Sequence, residues 1–286
     1  MSMFSSPNTP TPSSTKHGLM PKTPQRSSMT GLSSRATRAI CRSWMAMRSS
    51  SSGRLGCPGQ CARGAAIMGH MLIEIYSDVV CPWCYIGKRR LDGALATAAG
   101  EGVEVAWRPY QLYPNLPATG MDRDEYLARR YGDRADRARV PRRIVEEGED
   151  AGIDFDYGGI GRMPNTMTAH RLLDHAEREA GAAVQHVLAE VLFRFYFCEG
   201  RDVGDLDTLC EAAVEAGLDA EAARAYLDDG GDEEEIRARI RSAFEIGVVS
   251  VPCYMLGGGF MLPGAQTSDV MAQFIERAKE KLAAAR

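Results

Sequence analysis

Two cysteines separated by a proline and a tryptophan, Cys81-Pro82-Trp83-Cys84, constrain this chain more than any other feature. The apolar residues before them, 71–76, predict a short buried strand, and residues 85–99 predict a helix. A CxxC pair between a strand and a helix is typical of a redox-active dithiol, whereas a zinc half-site needs two further ligands. The five histidines show no paired ligand spacing with the cysteines, and Cys57 and Cys61 form a CxxxC in a segment that shows no regular structural pattern. The pair therefore predicts thiol–disulfide chemistry.

The place of the pair at the start of a helix predicts different roles for its two cysteines. The first helical turn leaves backbone N–H groups unpaired and carries partial positive charge, which stabilises an anion. We therefore expect Cys81 to be the reactive thiolate. Cys84, one turn further in, is expected to be more buried and to resolve the mixed disulfide. Pro82 suits an early helical position because its missing N–H removes no hydrogen bond there. Trp83 is expected to offer an apolar face on which a substrate docks.

Charge is distributed unevenly along the 286 residues. The formal net charge is -4, yet residues 1–70 contain nine Lys and Arg residues and no Asp or Glu. Residues 71–286 therefore carry 25 basic residues against 38 acidic ones. Because nucleic-acid binding needs a basic surface for the phosphates, the acidic folded part argues against a nucleic-acid partner.

Residues 1–70 are rich in Ser, Thr, Pro, Gly and Arg without hydrophobic periodicity, which predicts a disordered, low-complexity extension. Three origins fit this composition: an organellar transit peptide, an ordinary tail, or a translation start assigned too far upstream. The third is favoured because the first predicted strand begins at Met71. We find no apolar segment of a secretory signal and no membrane span of about 18 apolar residues. The expected location is the cytoplasm, where cysteines are kept reduced, and no membrane partner is expected.

The order of the predicted elements indicates the fold. Strands at 71–76 and 103–108 flank the helix that follows the cysteine pair, and most of 121–246 is helical in pattern. Within it, Asp122 and Asp205 are predicted to start two helices, and residues 133–150 to form another with a kink or break at Pro141. Strands at 248–256 and 260–262, joined by a glycine turn, precede a terminal helix. The outer parts, 71–115 and 247–286, then form an α/β thioredoxin fold with a central mixed sheet. The intervening residues 116–246 form an inserted all-helical domain.

Pro252 is a second chemical clue. Proline lacks a donor for a β-ladder, so its place at the start of a strand needs a special backbone geometry. An X-Pro bond adopts the cis form at modest cost. In thioredoxin-like folds, which this chain resembles, a cis-proline at this place lies against the CxxC pair. The resemblance implies that the Val251–Pro252 bond is cis and that the backbone of Val251 pairs with an extended substrate. A trans proline at a strand edge is the alternative.

Several segments together resemble the DsbA family, and within it most closely the FrnE-type branch of cytoplasmic dithiol–disulfide oxidoreductases and isomerases. The segments that carry the resemblance are Ser77-Asp78-Val79-Val80-Cys81-Pro82-Trp83-Cys84-Tyr85-Ile86-Gly87, Trp107-Arg108-Pro109, Pro164-Asn165-Thr166, Ala169-His170-Arg171, Val251-Pro252 and Gly264-Ala265-Gln266. The resemblance covers about residues 71–286 and implies a thioredoxin fold with a helical insertion and disulfide exchange through the CxxC pair. It implies no tightly bound cofactor, glutathione or another small thiol as co-substrate, and a disulfide-containing protein or small molecule as substrate. The resemblance does not decide whether the protein forms a dimer.

Two other functions remain open at this stage. Kappa-class glutathione transferases and 2-hydroxychromene-2-carboxylate isomerases resemble this architecture but have a serine at the position of Cys81. A redox-sensing binding protein is the other alternative. Exported DsbA proteins resemble CPHC, and Trp83 replaces that histidine here, which implies a less oxidising dithiol.

Supporting roles are predicted for three polar residues. Glu74 is either a buried carboxylate that moves protons for Cys84 or an exposed strand residue. Asp78 is predicted to cap the active-site turn, and His170 to face the site from the insertion. Cys253 is expected to be a buried strand thiol, with exchange with the active-site pair as the alternative.

Overall fold

The computed structural model describes residues 71–132, 140–257 and 259–284. Its main sheet has four strands in the order β2-β1-β5-β6. The strands are β1 (Met71–Ser77), β2 (Val103–Pro109), β5 (Cys253–Leu256) and β6 (Phe260–Pro263). Strand β1 pairs parallel with β2 and antiparallel with β5, and β5 pairs antiparallel with β6. This mixed sheet is that of a thioredoxin fold, as the sequence predicts.

One helix follows β1, one ends the described chain, and the others fill the long connection between β2 and β5. They are α1 (Pro82–Leu95), α2 (Arg123–Tyr131), α3 (Arg142–Asp150), α4 (Met167–Ala180), α5 (Ala182–Phe197), α6 (Leu206–Glu215), α7 (Ala220–Asp229), α8 (Glu233–Glu245) and α9 (Ser268–Ala284). A 3₁₀ turn, Ala98–Gly100, follows α1, and a two-residue ladder pairs β3 (Met121–Asp122) with β4 (Arg162–Met163). Helices α2 to α8 are the helical insertion.

Aspartates fix the starts of three of these helices, and the sequence pattern predicts two of them, Asp122 and Asp205. The side chains of Asp122, Asp205 and Asp219 accept hydrogen bonds from the backbone N–H groups of Glu125, Thr208 and Ala222. Each bond satisfies one of the N–H groups that a first helical turn leaves unpaired, which stabilises the helix by about 1 kcal/mol.

Three predicted elements differ from the structure. Helix α1 begins at Pro82, three residues earlier than predicted, so Trp83 and Cys84 lie in its first turn. Strand β5 begins only at Cys253, because the cis-proline before it interrupts the ladder. The helix predicted over 133–150 begins at Arg142, directly after Pro141, within the described part, and 133–139 lie outside the described residues.

The insertion shares one hydrophobic core with the sheet. A single cluster of buried side chains includes Ile75 of β1, Trp107 of β2 and Phe193 of α5. The side-chain amide of Gln185 joins α5 to the edge strand β2: it accepts from the N–H of Trp107 at 2.8 Å and donates to the carbonyl of Trp107 at 3.1 Å. Because an uncovered strand edge exposes unpaired backbone groups, this contact fixes α5 against the sheet.

None of the described helices combines the length and the apolar character that a membrane crossing requires.

Candidate active site

Both cysteines lie at the N-terminus of α1, directly after the end of β1. Cys81 is the N-cap residue, with extended backbone angles, and Pro82 occupies the first helical position. The N–H of Cys81 donates to the carbonyl of Asp78 at 3.0 Å, which closes the turn between strand and helix. Both thiols are free and buried, Cys81 with 4% and Cys84 with 1% of its surface exposed. The chain thus places Cys81 at the positive end of a helix and Cys84 beneath it.

A cis peptide bond joins Val251 to Pro252, as the sequence predicts. The thiol of Cys81 lies 3.8 Å from the carbonyl oxygen of Val251, to which it donates. This contact joins two parts of the chain that are 170 residues apart. The structure therefore brings together the cysteine pair and the Val251–Pro252 segment.

The environment of Cys84 makes its thiol a weaker acid than an ordinary cysteine thiol. Burial raises the pKa of Cys84 well above its usual value, and the hydrogen bond and negative charge of Cys81 raise it further. The neighbouring Ser77 side chain lowers it by a smaller amount. Cys84 is therefore protonated at neutral pH while the dithiol is reduced.

Gly87 allows α1 to pack closely on the strand that follows Pro252. A Cβ at this position would lie 2.3 Å from the hydroxyl of Tyr254 and 3.1 Å from Cγ of Pro252. Tyr254 is almost completely buried, and its pKa is raised well above the usual value by burial and by the nearby cysteines. Sequence reasoning passed over this residue because a tyrosine in a strand reads as ordinary core.

Substitution of Gly87 by alanine is expected to lower the free energy of unfolding by about 1–3 kcal/mol, because the added methyl group overpacks the contact with Tyr254. Chemical denaturation measures the loss. Gly161→Ala is the control, since a Cβ there meets no atom within 4 Å. Equal stabilities of the Gly87 variant and the wild type would contradict the close packing.

Asp78 and His170 form a buried pair behind the cysteines. Asp78 Oδ2 accepts from the backbone N–H of Leu112 at 2.7 Å, and Asp78 Oδ1 lies 3.5 Å from Nε2 of His170. The side chain of Asp78 therefore does not cap the active-site turn, and it is the carbonyl group of Asp78 that closes it. His170 also lies 2.9 Å from the carbonyl oxygen of Tyr110. It lies in α4 of the insertion, close to Asp78, and is almost completely buried.

Glu74 is not a buried carboxylate, which was one of the two alternatives that the sequence left open for it. It lies on the central strand β1, half-exposed, and its Oε1 accepts from Nε of Arg108 at 2.7 Å. Because side chains alternate along a strand, Glu74 faces the side of the sheet opposite to the buried Ile73 and Ile75. Neither the contacts of Glu74 nor the groups that shift the pKa of Cys84 connect these two residues.

Trp83 is half-buried at the mouth of the site. Its ring lies beneath the guanidinium group of Arg143 in α3, with 5.6 Å from Cζ to the ring centroid. The geometry is that of a cation–π contact. Trp83 therefore offers an apolar face with a positive charge beside it.

The remaining described cysteines do not join the pair. Cys253 is buried on the opposite face of the sheet, in a cluster with Tyr76 and Tyr110, since side chains alternate along β5 after Pro252. Cys198 and Cys210 are free thiols. Within the described ranges, no group of three or more His, Cys, Asp or Glu side chains is arranged to hold a metal ion.

A buried charge network below the cysteines escaped the sequence analysis. Lys88, one turn after Cys84, is 3% exposed and lies 2.8 Å from Asp92 Oδ2 and 3.0 Å from Glu190 Oε2 of α5. His186 Nε2 donates to Asp92 Oδ1 at 2.7 Å. Burial lowers the pKa of His186, and Lys88 and His186 together hold the pKa of Asp92 at about 2 against the effect of burial. The network joins α1 to α5 through charges.

A parallel strand, a helix with CxxC in its first turn and a cis-proline beside the first cysteine define a thioredoxin-fold dithiol protein. The family model described as "DSBA-like thioredoxin domain" matches residues 72–276. The chain belongs to this DsbA-like family of thiol–disulfide oxidoreductases, which confirms the resemblance found in the sequence.

Known proteins agree with this assignment. The probable DsbA oxidoreductase SCO1869 from Streptomyces coelicolor is 33% identical, with a TM-score of 0.65, over 73% of this chain and 90% of that one. The uncharacterized protein YwbO of Bacillus subtilis is 27% identical over 73% of this chain and 98% of its own length. The cytosolic disulfide reductase DsbM from Pseudomonas aeruginosa shares the fold, with 18% identity and a TM-score of 0.52 over 74% of this chain and 97% of that one.

Proposed function

We propose that this protein exchanges disulfides through Cys81 and Cys84, with Cys81 as the attacking sulfur. The observation that carries the proposal is the asymmetry of the pair. Cys81 occupies the N-cap of α1 beside the Val251 carbonyl, whereas Cys84 is buried with a raised pKa. A thiolate at a helix N-terminus is stabilised, and the thiolate is the form that attacks a disulfide.

The reaction proceeds in two displacements. The Cys81 thiolate forms a bond to one sulfur of the substrate disulfide, and the other substrate sulfur leaves as a thiolate. Cys84 loses its proton and attacks the Cys81 sulfur, which releases the second substrate thiolate and leaves the Cys81–Cys84 disulfide. Two electrons pass from the enzyme to the substrate. One released thiolate takes up the proton of Cys84, and the other takes from solvent the proton that Cys81 lost when its thiolate formed.

The Val251–Pro252 segment supports a place for the substrate chain. Strand β5 begins only at Cys253, so the backbone of Val251 lies outside the sheet ladder and next to the Cys81 sulfur. An extended substrate segment can pair with such a backbone as an added strand. Pro82 and Trp83 would form the other side of the same surface.

We assign reduction or isomerisation in the cytoplasm, with glutathione or another small thiol returning the enzyme to its dithiol form. The direction of exchange depends on the potential of the dithiol relative to its compartment, and a reducing cytosol favours substrate reduction. The neighbour DsbM is described as a cytosolic disulfide reductase, and a second structure of it is described as containing GSH. The Trp83 side chain in place of a histidine agrees with a less oxidising dithiol.

Trapping with Cys84→Ala tests the proposal. Without Cys84, the mixed disulfide on Cys81 cannot be resolved, so reaction with a peptide disulfide is expected to leave a stable adduct. Mass spectrometry of the intact protein and of its peptides locates the adduct. Cys253→Ala is the matched control, because that thiol lies on the other face of the sheet and its loss should leave resolution intact.

Three outcomes would contradict the dithiol mechanism. An adduct on a cysteine other than Cys81 would show that Cys81 is not the attacking residue. Glutathione conjugation or isomerisation that survives Cys84→Ala, without disulfide turnover in the wild type, would favour the glutathione-dependent transferase alternative. A partner affinity that changes with the Cys81–Cys84 redox state, without turnover, would favour a redox sensor.

A further inference from the structure

Tyrosine and arginine side chains from the loop after β2 and from the insertion lie near Cys81 or Trp83, or contact residues that do. We call this group the arginine–tyrosine rim; its members are Tyr113, Tyr126, Tyr157, Arg123, Arg130 and Arg143. They come from the loop after β2, from α2, from α3 and from the loop before β4. The mechanism above uses none of them.

The first part of the rim follows from the loop that Asp78 holds. Because Asp78 accepts from the N–H of Leu112, the neighbouring Tyr113 lies beside the active-site turn. Tyr126 packs edge-on against Tyr113, with ring centroids 5.5 Å apart, and Arg130 lies one helical turn beyond Tyr126 on the same face of α2. Burial raises the pKa of Tyr113 to about 12, while Arg130 lowers and Cys81 raises it, so Tyr113 lies within electrostatic reach of both.

The second part of the rim approaches from the opposite loop. Tyr157 packs on Phe197 at 6.1 Å between ring centroids, and Phe197 packs on Tyr85, the residue after Cys84, at 6.2 Å. Burial raises the pKa of Tyr157, Cys81 raises it further, and Arg123 lowers it. Arg123 is fixed by its N–H, which donates to the carbonyl of Gly161 at 3.0 Å.

Arg143 completes the rim above Trp83, and its positive charge is only partly balanced. The guanidinium group lies 3.4 Å from Oε1 of Glu147, but Oε2 of the same carboxylate is 2.5 Å from Arg90. The Arg143 side chain is 77% exposed. The Glu147 carboxylate therefore pairs with two arginines. The more exposed of them, Arg143, lies beside Trp83 at the mouth of the site.

Charge and hydrogen-bonding capacity in the rim both point to an anion. Among the described residues, Arg123 and Arg130 form no ion pair, although residues 71–286 as a whole are acidic. Arg130 donates to the hydroxyl of the adjacent Tyr131 at 3.2 Å, which leaves its charge without a counter-ion in the described part of the chain. The hydroxyl groups of Tyr126 and Tyr157 are buried and have no hydrogen-bond partner in the part of the chain that the structure describes. Buried polar groups normally have partners, and a bound carboxylate accepts from both hydroxyl and guanidinium groups.

We propose that the rim selects disulfides that carry carboxylate groups next to the sulfurs. This inference rests on the proposed exchange function and names the class of its substrate. The carboxylates would lie against Arg130 and Arg143 while the Cys81 thiolate attacks the disulfide. The electrons come from the enzyme dithiol as described above, so a single turnover of reduced enzyme needs no further reactant.

Three small disulfides of matched size test the selection. Dithiodipropionate is a dianion at pH 7, bis(2-hydroxyethyl) disulfide is neutral and cystamine is a dication. Reduced enzyme is mixed with each, quenched with acid and analysed for the Cys81–Cys84 disulfide by mass spectrometry. Rates are divided by those of dithiothreitol with the same compounds, which removes differences in intrinsic reactivity. We expect the dianion to exceed the neutral compound by about tenfold and the dication to be slowest.

Charge-removing variants with matched controls locate the selection. Arg130→Gln and Arg143→Gln are each expected to lower the preference for the dianion about threefold, in keeping with exposed charges. Arg129→Gln and Arg142→Gln remove neighbouring arginines that are already paired with Glu125 and Glu146 and should leave the preference unchanged. The preference should also shrink between low and 0.5 M salt, because salt screens exposed charges.

The outcomes separate this inference from the proposed function. If reduced enzyme reacts with none of the three disulfides, the exchange function itself fails. If it reacts with all three at equal normalised rates, or if all four arginine variants lose the preference equally, the rim does not select the substrate. A pair of peptide disulfides with Glu or Gln beside the cysteine identifies the source of the carboxylates: preference for the Glu peptide alone indicates an acidic polypeptide, and preference for dithiodipropionate alone indicates a small thiol.

Discussion

Cys81→Ser is expected to lower the turnover of disulfide reduction by about 10³-fold or more, because a serine hydroxyl is not deprotonated at neutral pH and forms no disulfide. The substitution removes one sulfur atom at the N-cap of α1, a position where serine is well tolerated. The loss should therefore appear in activity and leave the stability of the fold intact. Reduction of insulin, followed by turbidity with dithiothreitol as reductant, measures turnover.

The control for this prediction is the third buried thiol near the site. Cys253→Ala should keep turnover within about twofold of the wild type, because Cys253 packs against Tyr76 and Tyr110 on the far face of the sheet. Thermal unfolding of both variants shows whether either has lost its fold. Residual activity above about a tenth in Cys81→Ser, or an equal loss in both variants, would assign the nucleophile to a different group.

The local features of the site could be read from the sequence because neighbouring residues determine them. The CxxC spacing, the proline at the first helical position and the aspartate caps at 122 and 205 each depend on contacts within about one helical turn. The cis bond before Pro252 was also predictable, since the chemistry of X-Pro bonds and the family resemblance point the same way.

The roles of the polar residues could not be read in this way, because their partners are distant in the sequence. Asp78 reaches the N–H of residue 112, and Glu74 pairs with Arg108 on the next strand. Near the cysteine motif, both read as candidates for capping or proton transfer. For Glu74, the alternation of side chains along β1 excludes proton transfer to Cys84, because it places the Glu74 side chain on the face opposite to Ile75.

The arginine–tyrosine rim and the charge network around Lys88 could not be predicted from the sequence for the same reason. The sequence indicates that α5 is a core helix, yet its Glu190 and His186 enter that core as charged and polar partners of α1. A lysine four residues before an aspartate in α1 reads as a solvated surface pair, and only the packing of α5 against α1 buries it. Polar residues that meet across helices leave no local pattern in the chain.

Lys88→Met is expected to lower the free energy of unfolding by about 3 kcal/mol at pH 7, because it leaves Glu190 in the core without its closest cation. Methionine matches the length of the lysine stem without its ammonium group, so it keeps the apolar packing of that stem. The loss falls at the lower end of the range for a broken buried pair, since Glu190 retains 23% exposure of its side chain and a contact with Arg89 at 3.2 Å. Urea denaturation monitored by circular dichroism measures the effect.

The neighbouring Arg89→Met provides the matched control, since it removes a cation from the same carboxylate but from a side chain that is 34% exposed. A loss below about 1 kcal/mol is expected there, as for partly exposed ion pairs. Similar losses in the two variants would contradict the prediction that Lys88 stabilises Glu190 more than the exposed Arg89 does. In a double-mutant cycle, Lys88→Met combined with Glu190→Gln should recover part of the stability, because the unpaired charge is then absent.

The dependence on pH gives the Lys88 prediction a second, independent readout. In the wild type, Lys88 and Arg89 hold the pKa of Glu190 below its usual value against the effect of burial, so Glu190 contributes stability above its unfolded pKa and loses it as the pH falls. In Lys88→Met, burial acts without the closest cation, so the folded pKa of Glu190 rises and stability falls as the pH rises through it. The gap between wild type and variant should therefore widen from about pH 4.5 to pH 7. A gap that stays constant over this range would show that lost packing, and not the unpaired carboxylate, causes the instability.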